Sequence, residues 1–233
     1  MIAFAINIYQ FEMRDMMKKY LLLFIFIIST VFLNNVHANT NDATLVLLKE
    51  ENLETAGTII TAKIPQIINV KDEKVKNDIN TLINQTIDNF LNESKKNDEN
   101  PDSKHKVIVD ITYQNYYSDD KIISFSIDFT QSMADSYLQK KFFTIDLITG
   151  EIYQIEHFLG ENYQNIILNA VKQQVAANKE KYPNLTYFDE AINSLKITSD
   201  QAFYINKNNQ IVVVFNQYEI APGYMSLPEF IIK

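Results

Sequence analysis

The spacing of apolar positions changes several times along this 233-residue chain, and each change marks an element. Between residues 72 and 96, Val75, Ile79, Leu82, Ile83, Ile87, Phe90 and Leu91 recur at intervals of three and four, which draws one apolar stripe down a helix. Further on the period shortens to two. Val107, Val109, Ile111 and Tyr113 alternate with Ile108, Asp110 and Thr112, and Ile123, Phe125, Ile127 and Phe129 alternate with Ser124, Ser126 and Asp128. Successive side chains of a strand point to opposite faces, so both stretches predict strands, the second with one apolar and one polar face. Ser118, Asp119, Asp120 and Lys121 form the turn between them. A loop over 130–136 leads to a third strand, 138–147, and a turn ending at Gly150 leads to a short strand around Ile152.

Residues 44–48 and 58–64 predict two earlier strands, the second stopped by Pro65. Residues 97–104, polar and interrupted by Pro101, predict a loop. In the second half, 161–181 reads as an amphipathic helix with Tyr163, Ile166, Ile167, Ala170, Val171 and Val175 inward, ended by Pro183. A shorter helix over 187–195 precedes a hairpin, 202–205 with 210–218, turning at Asn206-Lys207-Asn208-Asn209. Its second arm opens with Ile211, Val212, Val213, Val214 and Phe215, an unbroken apolar run that predicts a strand buried on both faces. The chain then enters Ala221-Pro222-Gly223-Tyr224, where proline and glycine force a loop. Strands and helices come in blocks, which argues for an α+β fold with mainly antiparallel sheet. The reading divides the chain into 1–38, a strand–helix part at 39–104, a β-meander at 105–150 and a C-terminal part at 151–233.

The first part is read as an export signal. Met16-Met17-Lys18-Lys19 precedes a 14-residue apolar stretch, 20–33, and Val36 and Ala38 supply the small residues of a cleavage site. The stretch is shorter than the ~20 residues of a membrane-spanning helix, although an uncleaved anchor is the alternative. Residues 1–15 read as a spurious upstream start. Cleavage after Ala38 would leave 195 residues carrying 18 basic and 27 acidic side chains, a net charge of −9. Such a protein repels nucleic acid and anionic membrane and attracts a basic protein. It contains no cysteine, so it folds without disulfides and has no thiolate ligands or nucleophile.

Little in the chain points to catalysis. His105 and His157 have no histidine or glutamate at metal-binding spacing and are placed at the surface. No serine lies in a G-x-S-x-G turn, and the four glycines are scattered. Asp98, Glu99 and Asp102 lack the alternation and central glycine of a calcium loop. No catalytic residue, metal site or cofactor is therefore expected. The tyrosines are better candidates, because a ring with a hydroxyl makes a rigid contact that can still hydrogen-bond. Tyr116, Tyr117, Tyr137 and Tyr224 lie near loops, whereas Tyr113 and Tyr218 are placed in the core.

One set of residues resembles a known family. Phe215-Asn216-Gln217-Tyr218-Glu219-Ile220-Ala221-Pro222, followed by Leu227-Pro228-Glu229-Phe230, resembles the C-terminal signature of RsiV-type extracytoplasmic domains. Phe143-Thr144-Ile145-Asp146-Leu147-Ile148-Thr149-Gly150 and the strand end and helix over 65–91 are similar to the same family. The resemblance implies a small N-terminal α/β two-layer subdomain joined to a C-terminal α+β domain. It also implies either lysozyme sensing, as in the anti-sigma factor ectodomain, or an accessory role, as in PdaC-like peptidoglycan deacetylases. Many members carry a Thr-Gly-Gly-Ala-His type loop where this chain has Thr130-Gln131-Ser132-Met133-Ala134, so a role needing that histidine is not carried over.

The expectation is an exported, periplasmic or secreted, non-catalytic protein that binds and inhibits lysozyme or a related basic muramidase. Ser132, Met133, Pro222, Gly223 and Tyr224 would make the contact. The alternative is a module that binds peptidoglycan through its tyrosines.

Overall fold

In the computed structural model, residues 42–98, 105–182 and 184–232 are described. The export signal, the upstream start, Pro101, Pro183, Glu99 and Asp102 lie outside them.

The apolar stripe forms α1 (Glu73–Ser94), whose N-cap Asp72 accepts the Val75 N–H at 2.9 Å. Its buried residues Val75, Ile79, Ile83 and Ile87 pack on a five-stranded sheet of order β1-β2-β3-β4-β5. The strands are β1 (Thr44–Glu54), β2 (Thr58–Ile68), β3 (Val107–Ser118), β4 (Ile122–Ser132) and β5 (Ser136–Asp146). Only β2 and β3 are parallel, and α1 makes the crossover that such a pair requires.

Several boundaries differ from the expected ones. β2 passes through Pro65 to Ile68, because β3 pairs only with Thr58 to Ala62 and β1 bulges between Leu47 and Lys49. The missing proline N–H thus falls beyond the β2–β3 ladder, and beyond it the Ile67 N–H is taken by Asn80 of α1 at 2.8 Å. β1 runs past residue 48 to Glu54 at a sheet edge, with Lys49, Glu50, Glu51 and Glu54 exposed. The loop expected over 130–136 shrinks to Met133, Ala134 and Asp135, because β4 and β5 pair as far as Ser132 and Ser136. The strand around Ile152 is a single bridge to Ile145.

The C-terminal layer contains α2 (Ile155–Leu159), α3 (Tyr163–Lys181) and α4 (Asp189–Ser194). Its sheet is β6 (Phe203–Ile205), β7 (Ile211–Val214) and β8 (Glu229–Ile231), antiparallel with β7 central. The apolar run is buried on both faces, as expected. Val213 joins Ile167, Val171 and Val175 of α3, together with Phe215 and Phe230. Val212 and Val214 face the other way, onto Tyr116, Leu138 and Phe142 of the first sheet. The order of layers is α1, five strands, three strands, α3. β8 was not anticipated as a strand, and α2 is too short to show a helical period.

The expected polar face of this strand is formed, and the stacking covers it: Ser124, Ser126 and Asp128 are 0%, 0% and 9% exposed beneath the second sheet. Tyr116, placed near a loop, is also buried there, stacked on Tyr204 with ring centroids 4.0 Å apart. Tyr113 is partly buried against the first core, as expected.

Candidate functional site

The segment after β7 has a backbone that few sequences allow. Asn216 donates its N–H and its side-chain amide to the Glu219 carboxylate at 2.7 and 3.1 Å, closing a turn. Inside that turn Tyr218 adopts φ 68°, a region unusual for an aromatic residue. Its ring lies on Gly223: a Cβ at that position would come within 2.4 Å of Tyr218 Oη. A side chain at 223 would displace the Tyr218 ring from this position. Tyr218, expected in the core, is instead 54% exposed, because the left-handed turn throws it outward over the glycine.

Pro222 leads into a single turn, Gly223 to Met225, closed by Met225 N–H to Pro222 C=O at 2.9 Å. Tyr224 sits on this turn, 65% exposed. Its hydroxyl accepts the Thr186 N–H at 3.1 Å and donates to Asn184 C=O at 3.0 Å. The ring is thereby presented to solvent with its far end anchored.

Gln217 joins this loop to the tip of the β4–β5 hairpin. Its side-chain oxygen accepts the Leu138 N–H at 3.0 Å, and its amide nitrogen donates to Ser136 C=O at 3.3 Å and Gly223 C=O at 3.2 Å. Ser136 in turn shares a 2.6 Å hydroxyl contact with Ser132. The two segments singled out from the sequence, Ser132-Met133 and Pro222-Gly223-Tyr224, are thus linked through one side chain. Met133, Tyr137, Tyr218 and Tyr224 are the exposed apolar side chains on these linked segments, at 64%, 41%, 54% and 65%. Gln217 and the anchors at Asn184 and Thr186 were not anticipated. A glutamine before an exposed tyrosine gives no signal until the hairpin is seen beside it.

Other candidates lie apart from this surface. His157 stacks on Tyr153 at 3.9 Å and meets Phe158 edge-on. Tyr153 donates its hydroxyl to Asp146, and that bond holds the phenol proton up to a pKa of about 12. The same bond lowers the Asp146 carboxyl. Among the described residues, no group of three or more His, Cys, Asp or Glu side chains could hold a metal ion. Among the same residues, no helix is long and apolar enough to cross a membrane.

Comparisons with known proteins bear on the family and the fold. Residues 50–133 match the family described as "Deacetylase PdaC", and residues 156–233 match "Protein of unknown function (DUF3298)". The chain is 27% identical over 197 residues to the anti-sigma-V factor RsiV of Bacillus subtilis (strain 168), covering 81% of this chain and 66% of that protein. It thus spans just under two thirds of the relative's length. Crystal structures of DUF3298 family proteins from Bacteroides fragilis and Pseudomonas aeruginosa PAO1 share the fold, with TM-scores of 0.56 and 0.55 at 15% and 10% identity. Each likeness covers 82% of this chain and 89% of the other. Together these matches support the RsiV-like and PdaC-like domain family that the sequence motifs resemble. One relative is named as an anti-sigma factor and one family as a deacetylase, and those activities are stated of them.

Proposed function

We propose that this chain is an exported, non-catalytic binding domain whose partner is a lysozyme or a similar basic muramidase. The observation that carries the reading is the Gln217 bridge, which holds the Met133 hairpin tip and the Tyr224 turn together as one pre-formed surface. Rigid aromatic rings with anchored hydroxyls lose little entropy on binding, which suits them as contact residues. Likeness to an anti-sigma factor supports a sensing or sequestering role. The excess of acidic residues supports a basic partner, raising the association rate by roughly 10- to 1,000-fold at low salt while the aromatic contacts set dissociation.

Titration against a lysozyme, following binding and residual lytic activity together, tests the reading. Saturable 1:1 binding should survive ~0.3 M salt, where the Debye length falls to roughly 5–6 Å. Loss of lytic activity alongside it identifies an inhibitor, and retained activity a sensor. Tyr224→Ala should weaken binding by about 10- to 100-fold, as loss of a central aromatic contact does. A change within about twofold would move the contact away from this loop.

A further inference from the structure

β5 ends the first sheet, and part of its outer edge is already paired in an orderly way. In an antiparallel pair, alternate residues turn both backbone groups away from the partner strand. The Leu147 N–H to Lys121 C=O bond sets the phase, so the even-numbered residues of β5 face away from β4. At one end of this edge the Gln217 side chain acts as a short strand, taking Leu138 N–H and Ser136 C=O. At the other end the main chain does so, with Tyr153 N–H on Thr144 C=O at 2.8 Å and Asp146 N–H on Glu151 C=O at 2.9 Å. Between these two ends the C=O of Leu138, both groups of Lys140 and Phe142, and the N–H of Thr144 meet no partner among the described residues.

That open stretch is the wall of a cleft of about 660 Å³, with Ala202, Val214 and Asn216 on the opposite side. We infer that this cleft is a docking site for an extended peptide segment of another protein, which adds to β5 as a sixth, antiparallel strand. Addition of a strand to a free sheet edge is a general mode of peptide recognition. An antiparallel strand would continue the pairing that Ile152 already makes with Ile145 where the chain departs into α2. At ~3.4 Å per residue, the stretch spanned by Gln139 to Phe143 takes about five residues of the incoming strand.

The walls define the occupant's chemistry. Side chains on one face of the added strand meet the half-buried Phe142 and Ala202, which favours apolar residues at alternate positions. Lys141 and Lys196 also line the cleft, and neither forms an ion pair among the described residues. The cleft also holds two carboxylates, Glu219 and Asp200; the Thr198 hydroxyl lowers the Asp200 carboxyl, and the charge of Lys141 helps to do so. Two lysines facing two carboxylates leave the cleft balanced in charge, so the alternate apolar residues of the occupant and its backbone set recognition. A second copy of this chain is a poor occupant, because β5 against β5 would set Lys140 and Lys141 of both copies side by side, a device that keeps sheet edges apart.

The inference does not rest on lysozyme binding, and one experiment separates the two. A random dodecapeptide display library is panned on the protein, and the enriched peptides are synthesised and added while amide exchange is followed by NMR. In the free protein the Lys140, Phe142 and Thr144 amides should exchange fast, and bound peptide should slow them by about tenfold or more. Ala202→Trp, which fills the cleft, should weaken binding by about tenfold without altering lysozyme affinity. The inference is overturned if no peptide is enriched. It is equally overturned if those amides are protected in the free protein, or if bound peptides leave them unprotected.

Discussion

The two faces of β4 are equally buried and built from opposite chemistry. Its odd-numbered residues Ile123, Phe125, Ile127 and Phe129, at 2% exposure or less, close an apolar core under α1. Its even-numbered residues meet the second sheet with hydroxyls and a carboxylate. Ser124 accepts the Ile205 N–H at 3.0 Å and touches the Thr144 hydroxyl at 3.0 Å. Ser126 reaches both the Tyr116 hydroxyl and Asp128, and Asp128 pairs with Lys140 at 2.8 Å. Apolar contact is non-directional, so the α1 face supplies adhesion that tolerates small shifts. The polar face holds only where each donor meets its acceptor; its Ser124–Ile205 bond ties the second sheet to the first, while the Ser126, Asp128 and Lys140 contacts join strands of the first sheet. Thr144 and Lys140 belong to β5, so the same polar contacts hold the strand with which Gln217 pairs.

The contrast predicts unequal costs. Phe125→Ala should lower the free energy of unfolding in urea by about 3–5 kcal/mol, the usual cost of emptying a fully buried aromatic site. A loss below about 1 kcal/mol would mean that the apolar face is not the principal source of stability. Next in size is Lys140→Met, which strands Asp128 where the two side chains are 15% and 12% exposed. It should cost about 2–3 kcal/mol, and adding Asp128→Leu should recover most of that, because an apolar pair needs no partner. If the single change costs nothing, the buried pair between β4 and β5 adds no stability and the polar face of β4 is not held by its charges.

Reading the sequence alone succeeds where period and burial coincide. The stripe from Val75 to Leu91 and the alternation from Ile123 to Phe129 each become the element they predict. The unbroken run from Ile211 likewise becomes the central strand. It fails where burial depends on a partner distant in the chain. The alternation puts Ser124, Ser126 and Asp128 on one polar face, but nothing local announces that β6 will cover it, 81 residues away in the Ser124–Ile205 bond. Pro65 appears to end a strand until the short reach of β3 is known. In the candidate site, the turn at Pro222 and Gly223 is legible from turn chemistry, and Pro222 also from the family motif. Gln217 is not, because its partners Leu138 and Ser136 lie 79 and 81 residues away.

The smallest expected effect comes from alkaline titration. Burial raises the Tyr116 phenol above its ordinary value of 10.0, and burial together with the Glu229 hydrogen bond raises Tyr204 further. A phenol whose pKa is raised in the fold contributes its full stabilisation below the unfolded value. That contribution is lost as pH climbs through the folded one. Stability should therefore hold up to about pH 10 and fall above it, first at the interface between the sheets. Near-UV circular dichroism of the Tyr116–Tyr204 stack, recorded with the tyrosinate absorbance, reads both events in one sample. Tyr153 also ionises late, through Asp146, so Tyr153→Phe is needed to subtract it. In that background Tyr204→Phe should remove part of the late-ionising class and cost about 1 kcal/mol at neutral pH, the worth of one hydrogen bond. Should every remaining tyrosine titrate together near 10, water reaches the second interface and its polar groups are solvated. The position of the β5–Gln217 surface would then have to be set by the apolar residues Val212, Val214 and Leu227 instead.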